Sequence, residues 1–232
     1  AVDYAGDLDG DGVADLVARA PYELIGDIWR GQTYVMSGAR LFGRPLEDAT
    51  LGEGGFVFQG ECPRRRGIDL PCARVDSASI SKAGNGDLAG YRAIGLGDVD
   101  GDGLGDFAVT APNHGDRDEG TVYVVFGRDD RRGVTGTDIF ERGCGFGNGY
   151  ADPYYPAEVA RAGLQSGVAG FAAYGPNLPL ANAFPIRWGK LLAPAGDFNG
   201  DGYDDLLVPT PDLGAGSNST FLLLGGVGRG PQ

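Results

Sequence analysis

One nine-residue acidic pattern occurs three times in this chain and restricts its fold more than any other feature. The three windows read DLDGDGVAD, DVDGDGLGD and DFNGDGYDD, and they share the pattern D-x-[DN]-G-D-G-x-x-D. They begin at residues 7, 98 and 197, so successive windows lie 91 and 99 residues apart. A motif that returns after a long and nearly constant spacing indicates a repeat architecture in which each copy supplies one structural unit.

The sequences that flank the windows repeat as well. Each window is followed by a short apolar run that ends near a proline, and then by a run rich in β-forming residues that closes at glycine. These later runs lie at 31–38, 120–127 and 219–226. The pattern predicts strand, acidic loop, strand, connection and strand in each copy, with a fourth strand at 55–60 and at 170–175.

Composition agrees with turn-rich β structure and narrows the range of partners. Of the 232 residues 42% are hydrophobic, enough to form a core, and 43 Gly with 14 Pro favour turns over long helices. The formal net charge of −13 disfavours nucleic acid or anionic lipid as a partner and favours a cation. No apolar run reaches the ~18 residues of a membrane span. The chain begins at Ala1 without an initiator Met or a signal peptide, so we expect a mature or excised piece.

The clustered carboxylates predict a bound metal ion in each window. Several carboxylates within nine residues repel one another unless a cation neutralises them. The candidate ligands are hard oxygen atoms, which favours Ca²⁺ over zinc or copper and leaves Mg²⁺ as a weaker candidate. We expect ligands from the side chains at loop positions 1, 3, 5 and 9 and from the carbonyl at position 7. The predicted ligands are Asp7, Asp9, Asp11, Val13 and Asp15 in the first loop, Asp98, Asp100, Asp102, Leu104 and Asp106 in the second, and Asp197, Asn199, Asp201, Tyr203 and Asp205 in the third.

Other calcium loops with a similar aspartate spacing fit this sequence less well. An EF-hand needs a glutamate at loop position 12 and a helix on each side, but position 12 here is Ala18, Val109 or Val208 in a predicted strand. Dockerin-type loops also lead into a helix, whereas a strand is predicted after each window here. Thrombospondin type 3 repeats place their loops nearly back to back, whereas the windows here lie 91 and 99 residues apart. Plain Asp-Gly turns without a metal ion are a further alternative. The occurrence of three copies with matching flanks argues against it. We therefore expect each ion to hold a β-hairpin whose backbone reverses at a glycine with positive φ, namely Gly12, Gly103 or Gly202.

The windows and their flanks resemble the FG-GAP repeats of integrin α-subunit β-propellers. The second copy matches best, with Gly90-Tyr91 as the aromatic-glycine element in inverted order, Thr110-Ala111-Pro112 as the Gly-Ala-Pro element and 120–124 as the G-x-V-Y-V strand. The third copy has Trp188-Gly189, and the first lacks this element. The resemblance implies all-β, four-stranded antiparallel propeller blades around an axis, with the calcium loops on one rim.

The resemblance also implies one FG-GAP β-propeller region over residues 1–232. We place repeat 1 at about 1–60, an insertion at 61–88, repeat 2 at about 89–127 with the strand 170–175, an insertion at 128–169, and repeat 3 at about 187–226. A propeller needs about four to eight blades to close. Either degenerate blades lie in 43–88 and 128–187, or other segments complete a larger propeller. We favour the second alternative, because those stretches lack a further acidic loop.

The remaining features are less specific. Cys62 and Cys72 are candidates for a disulfide in the first insertion, and Cys144 then has no assigned disulfide partner. Asn218 begins a glycosylation sequon. His114 is the only histidine and has no catalytic signature around it, so we interpret it as a surface-loop residue. Several aromatic residues form either a binding surface or packing under an insertion: Tyr150, Tyr154, Tyr155 and Trp188.

Three functions follow as hypotheses. The preferred one is a non-catalytic, calcium-stabilised module, extracellular or at the cell surface, that serves adhesion or assembly through protein or glycan partners, without nucleic-acid binding or membrane insertion. The second is the propeller domain of a secreted hydrolase or lyase, in which Asp152 or Glu158 acts as a general acid. The third is a structural subunit of an extracellular polymer, in which neighbouring chains complete the propeller.

Overall fold

The computed structural model shows an all-β chain built from successive antiparallel sheets. It describes residues 1–25, 28–29, 31–41, 55–59, 88–114, 119–127, 170–175, 187–210 and 219–226, to which every structural statement below refers. The strand pairs in these residues are all antiparallel. The predicted all-β fold of antiparallel blades is therefore confirmed.

The first sheet, here called blade 1, contains four strands in the order β1-β2-β5-β6. β1 (Val2–Gly6) precedes the first acidic window, and β2 (Asp15–Ala20) follows it. β5 (Gln32–Met36) and β6 (Gly55–Gln59) complete the sheet. The predicted strands near 31–38 and 55–60 are thus confirmed, and the first acidic loop closes a β-hairpin.

Two short elements in blade 1 were not predicted from the sequence. A two-stranded ribbon, β3 (Leu24–Ile25) with β4 (Ile28–Trp29), lies in the connection between β2 and β5. A single helical turn, α1 (Gly38–Leu41), follows β5. Both elements are too short to show a hydrophobic period, so the sequence pattern has no means of revealing them.

The second sheet, blade 2, repeats the order of the first with β10-β9-β8-β7. β7 (Ala93–Gly97) and β8 (Asp106–Ala111) enclose the second acidic loop, and β9 (Thr121–Val125) follows. β10 (Gly170–Tyr174) pairs with β9, with Gly170 opposite Val125 and Tyr174 opposite Thr121. The predicted fourth strand at 170–175 is therefore confirmed, although a long stretch of sequence separates it from β9.

The third sheet, blade 3, has three strands within the described residues, in the order β11-β12-β13. β11 (Ala193–Gly196) and β12 (Asp205–Thr210) enclose the third acidic loop. β13 (Ser219–Leu223) pairs with β12. The repeat limits proposed from the sequence remain a prediction, because the stretches between the sheets lie largely outside the described residues.

The blades pack face to face in the order of the chain. Strand alternation gives each blade two faces, and the described core separates into two clusters that lie between neighbouring faces. The cluster between blades 1 and 2 contains Ala5, Leu8, Val17, Val35, Phe58, Ala89, Ala93, Phe107, Val109, Ala111, Tyr123, Val125 and Ala172. The cluster between blades 2 and 3 contains Leu96, Val99, Ala108, Val122, Val124, Phe171, Ala173, Trp188, Leu206 and Val208. Blade 2 therefore contributes one face to each cluster.

The first strands of blades 1 and 2 approach closely enough to require a glycine. Gly95 in β7 lies against Ala5 in β1, and a Cβ placed on Gly95 would come within 2.8 Å of the Ala5 backbone. Such a contact is too short for any side chain, so β1 and β7 pack backbone to backbone. This approach brings the acidic loops at the ends of β1 and β7 to the same side of the arc.

Candidate metal centres

Each acidic loop starts from a bulge at the end of the first strand of its blade. The pairing with the second strand shifts register between Tyr4 and Gly6, and the other two hairpins shift at the equivalent positions. The last residue of each strand is a glycine with positive φ, a conformation that a Cβ disfavours: Gly6 (φ 85°), Gly97 (φ 98°) and Gly196 (φ 63°). The local sequence thus sets the direction in which the loop leaves the sheet.

The aspartate at position 1 organises the loop backbone. In the first loop, Asp7 Oδ1 accepts a hydrogen bond from Gly10 N–H at 2.8 Å and Asp7 Oδ2 accepts one from Gly12 N–H at 2.9 Å. The equivalent bonds to Oδ2 of Asp98 and of Asp197 measure 2.9 and 3.0 Å. The predicted positive φ at position 6 is confirmed in all three loops: Gly12 (83°), Gly103 (89°) and Gly202 (93°).

The side chains at positions 3 and 5 each form a short turn with the backbone two residues further on. Asp9 Oδ1 accepts from Asp11 N–H at 3.3 Å, and Asp11 Oδ1 accepts from Val13 N–H at 2.9 Å. The same two bonds recur in the other loops. In the first two loops these turns engage one oxygen of each carboxylate, so the second oxygen remains available to a cation.

The aspartate at position 9 is buried and ties the loop to the rest of its blade. Asp106 Oδ2 accepts from Val99 N–H at 2.6 Å, across the loop, and Asp106 Oδ1 accepts from Gly127 N–H at 2.8 Å, just after β9. The equivalent bonds join Asp15 to Leu8 and Gly38, and Asp205 to Phe198 and Gly225. This second role of position 9 was not predicted, because its partner after the third strand lies about 20 residues away in the sequence.

The structure gathers carboxylate oxygens in two of the loops. Oxygen atoms of Asp7, Asp9 and Asp11 lie within 4.8 Å of one another, and so do oxygen atoms of Asp98, Asp100 and Asp106. In the third loop the side chain at position 3 is Asn199, whose Nδ2 donates to Asp201 Oδ2 at 2.9 Å. Each gathered set contains three of the four side chains proposed for its loop.

Burial makes ionisation of Asp15 and Asp106 costly in the absence of a cation. Desolvation raises the pKa of Asp15 to about 6 and the pKa of Asp106 to about 7, although the backbone N–H groups that they accept from act in the opposite direction. The neighbouring aspartates of each loop raise both pKa values further. Burial and the charge of Asp102 also raise the pKa of Asp100. A divalent cation would favour the charged form of all these groups.

The donor set fits Ca²⁺ by its chemistry. The gathered atoms are carboxylate oxygens on a loop that is already curved around them, which suits a large, hard cation with irregular coordination. The carbonyl groups of Val13, Leu104 and Tyr203 belong to the predicted sets and follow the position 5 turns. The complete ligand sets, given above by residue, remain a prediction.

Asp204 is a charged residue near the second loop that the sequence analysis missed. It occupies position 8 of the third window, and its Oδ2 accepts from Asp98 N–H in the second loop at 2.9 Å. The Asp204 N–H donates to the Asp98 carbonyl at 2.9 Å. Only the third window has an acidic residue at this position, and this difference is the sequence feature that could have revealed the role of Asp204.

The loops of neighbouring blades are joined by a repeated backbone hydrogen bond. The carbonyl of Asp7 in the first loop accepts from Gly105 N–H in the second loop at 2.8 Å. The carbonyl of Asp98 accepts from Asp204 N–H in the same way. Position 1 of one loop thus contacts position 8 of the next, so the loops lie in sequence along one rim, as the resemblance implied.

One of the aromatic candidates, Trp188, lies within the described residues, and so does His114. Trp188 is buried between blades 2 and 3 with its ring edge-on to Phe221, at a centroid distance of 5.8 Å. It therefore serves packing and not an exposed binding surface. His114 is half-buried after β8, and its ring meets Tyr123 edge-on at 6.4 Å.

Several other residues singled out from the sequence lie outside the described residues, and what was inferred for them stays a prediction. They are the disulfide candidates Cys62 and Cys72 with Cys144, the sequon at Asn218, the aromatic residues Tyr150, Tyr154 and Tyr155, and the alternative general acids Asp152 and Glu158. Among the helices of the described ranges, none has the length and apolar character needed to cross a membrane.

Comparison with known proteins identifies the repeats. The family model described as FG-GAP repeat matches residues 4–36, 90–125 and 192–222, which contain the three acidic loops. Integrin alpha-4 of Xenopus laevis is 32% identical over 131 residues, or 56% of this chain. The match spans 10% of that relative's length. The chain therefore contains three FG-GAP repeats, each with an acidic loop of the same geometry, and it is similar to an integrin α subunit over about half of its own length.

Proposed function

We propose that this chain is a calcium-stabilised, non-catalytic adhesion module that acts outside the cell or at its surface and binds protein or glycan partners. The observation that carries the proposal is the threefold repetition of one loop geometry, anchored by a buried aspartate at position 9, in which carboxylate oxygens converge in the first and second loops. The adhesion role is inferred from the similarity to integrin alpha-4.

Calcium supports the fold in this proposal by neutralising the loops at the point where they join the blades. Asp106 holds the loop and the end of β9 together, while Asp98 holds the loop backbone and accepts from the next blade. A cation among these carboxylates lowers the cost of keeping them charged at neutral pH. Extracellular calcium near a millimolar would fill even sites with a dissociation constant of ~10⁻⁴ M.

Isothermal titration calorimetry and thermal unfolding test the calcium sites. We expect three Ca²⁺ ions per chain. With 1 mM calcium and a dissociation constant of ~10⁻⁴ M, each site adds about 1.4 kcal/mol to the free energy of unfolding. Three sites together raise the melting temperature by about 10 °C over that in a chelator.

A loop variant and a matched control sharpen this experiment. Asp9→Ala removes one carboxylate from the first loop and should reduce the stoichiometry from three ions to two. Asp3→Ala removes a carboxylate in β1 that lies outside the loop and approaches Arg19 at 3.8 Å, so it should leave three ions bound. An identical melting temperature in calcium and in chelator would rule out the calcium role.

Partner binding is tested separately, on an array of immobilised extracellular proteins and glycans. We expect binding in 1 mM calcium that is lost in chelator. Calcium stabilisation without binding to any array member would leave the metal sites intact and count against the adhesion role. The alternative of a hydrolase or lyase depends on Asp152 and Glu158, and loss of turnover in Asp152→Asn or Glu158→Gln would support it.

A further inference from the structure

One acidic residue of the third window reaches across to the second loop. Asp204 occupies position 8 of the third loop, yet its side chain and its backbone N–H both engage the backbone of Asp98, which is position 1 of the second loop. Asp98 belongs to the ligand set predicted for the second loop. The Asp204 carboxylate is therefore an additional negative charge beside that set, and the next blade supplies it.

This carboxylate lies over the bulge from which the second loop starts. A Cβ placed on Gly97, the last residue of β7, would collide with Asp204 Oδ2. Asp204 is half-buried in this position. A charge that is partly removed from water acts more strongly on its neighbours than an exposed one. The carboxylate would therefore add to the attraction of a cation toward the second loop.

The residue before Asp204 covers another part of the same loop. The ring of Tyr203, at position 7 of the third loop, lies against Gly101, at position 4 of the second loop, so that a Cβ on Gly101 would collide with it. Tyr203 and Asp204 together contact the second loop at two positions and at the glycine that precedes it. These contacts restrict the loop backbone. Rigidity and ligand charge are the two properties by which such loops tune their calcium affinity.

The first loop has the same kind of neighbour without the carboxylate. Gly105 N–H, at position 8 of the second loop, donates to the Asp7 carbonyl at 2.8 Å. The Leu104 side chain lies 2.9 Å from where a Cβ on Gly10 would be. A Cβ placed on the bulge glycine Gly6 would meet, among the described residues, only the Cα of Gly105, at 3.7 Å. The next blade therefore gives the first loop a smaller side chain and no charge.

We propose that Asp204 is a positioning residue for the calcium site of the second loop and makes that site bind Ca²⁺ more tightly than the first. The inference rests on the calcium sites of the proposed function. The first and second windows carry aspartate at the same four ligand positions, so the charges of the loops themselves do not distinguish them. Asp204 acts on the site through Asp98, whose backbone it holds on both sides, and through its own charge.

Calorimetric titration of full-length variants that retain one site each tests the proposal. Alanine at position 3 removes a ligand, so Asp9→Ala with Asn199→Ala leaves the second site, and Asp100→Ala with Asn199→Ala leaves the first. The dissociation constant of the second site should be about three- to tenfold lower than that of the first. With only the second site present, Asp204→Gly should raise the constant to the value of the first site.

The conservative variant Asp204→Asn separates the hydrogen bond from the charge. It keeps an oxygen that accepts from Asp98 N–H and removes the negative charge, so its dissociation constant should lie between those of the unchanged residue and Asp204→Gly. Melting temperatures in chelator report on the fold separately. A lower melting temperature in Asp204→Gly with unchanged calcium affinity would show a merely structural role and overturn the proposal.

Transfer of the carboxylate to the first loop gives the decisive result. With only the first site present, Gly105→Asp should lower its dissociation constant by about three- to tenfold. The place accepts a side chain, because Asp204 forms the same backbone hydrogen bond with its side chain present. Ala14→Asp is the matched control: it adds the same charge at position 8 of the first loop itself and should change the constant much less.

The outcomes separate this inference from the proposed function. Equal dissociation constants of the first and second sites, or equal tightening by Gly105→Asp and Ala14→Asp, overturn the role of Asp204 and leave the calcium sites in place. A wild-type chain that binds no calcium would overturn both.

Discussion

Blade 2 and the end blades have the same hairpin and loop but differ in how much of their surface is buried. All five residues of β9 are buried, whereas β5 alternates between buried and half-buried residues and β13 has none that is buried. The difference arises because blade 2 has a neighbour on both sides within the described residues. In this fold a strand acquires its second buried face from the adjacent blade. The position of a blade in the arc therefore determines how much a given side chain contributes to the free energy of unfolding.

The largest expected difference concerns the residue after the position 9 aspartate. Phe107→Ala should lower the free energy of unfolding by about 3–5 kcal/mol, because it leaves a cavity between blades 1 and 2. Leu16→Ala, at the equivalent half-buried position, should cost about 1 kcal/mol. Urea unfolding of the two variants measures both values. Equal losses would contradict the role assigned to the neighbouring blade.

The next effect compares the position 9 aspartates of blades 2 and 3. Asp106→Ala leaves the buried N–H groups of Val99 and Gly127 without their acceptor and should cost about 2–4 kcal/mol. Asp205→Ala should cost about half as much, since water reaches Phe198 and Gly225. Thermal unfolding in chelator separates this effect from calcium binding, and a larger loss for Asp205→Ala would be the contrary result.

A smaller effect is expected from pH in the presence of chelator. The folded chain holds protons on Asp15 and Asp106 up to pKa values of about 6 and 7, while the unfolded chain releases them near pH 4. As far as these two groups contribute, stability should therefore be greatest below about pH 4 and fall as the pH rises through about 7. Saturating calcium should abolish this loss of stability with rising pH. Melting curves from pH 5 to pH 8 measure it, and a rise in chelator that Asp106→Asn abolishes would contradict the sign.

The smallest effect distinguishes the second loop from the first. Asp204→Ala removes a carboxylate that accepts from Asp98 N–H, and it should weaken calcium binding at the second loop by about three- to tenfold. The first loop has Gly105 at the equivalent place and should be unaffected. Calorimetric titration resolves one weakened site among three. Uniform weakening of all sites would indicate a general structural effect instead.

Much of the fold follows from local sequence signals. Runs rich in β-forming residues and bounded by glycine located the main strands, and the similar GFVFQ and GFAAY runs located β6 and β10 far from their partners. The pattern also placed glycines with positive φ at Gly12, Gly103 and Gly202. These features depend on the residue itself and its near neighbours, which a single sequence records.

The remaining features depend on contacts between distant segments. The bond from Gly127 N–H to Asp106 and the reach of Asp204 into the second loop join residues that no local pattern connects. Gly225, not the terminal Gly226 of the run, takes the place of Gly127 in blade 3, because the strand register and not the run of letters sets the equivalence. Such pairings emerge only when the blades stack.

The backbone bonds that link one loop to the next make the rim a series of coupled segments. The second loop is joined to the first through Gly105 and to the third through Asp204. A partner resting on this rim would therefore contact loops that belong to more than one blade.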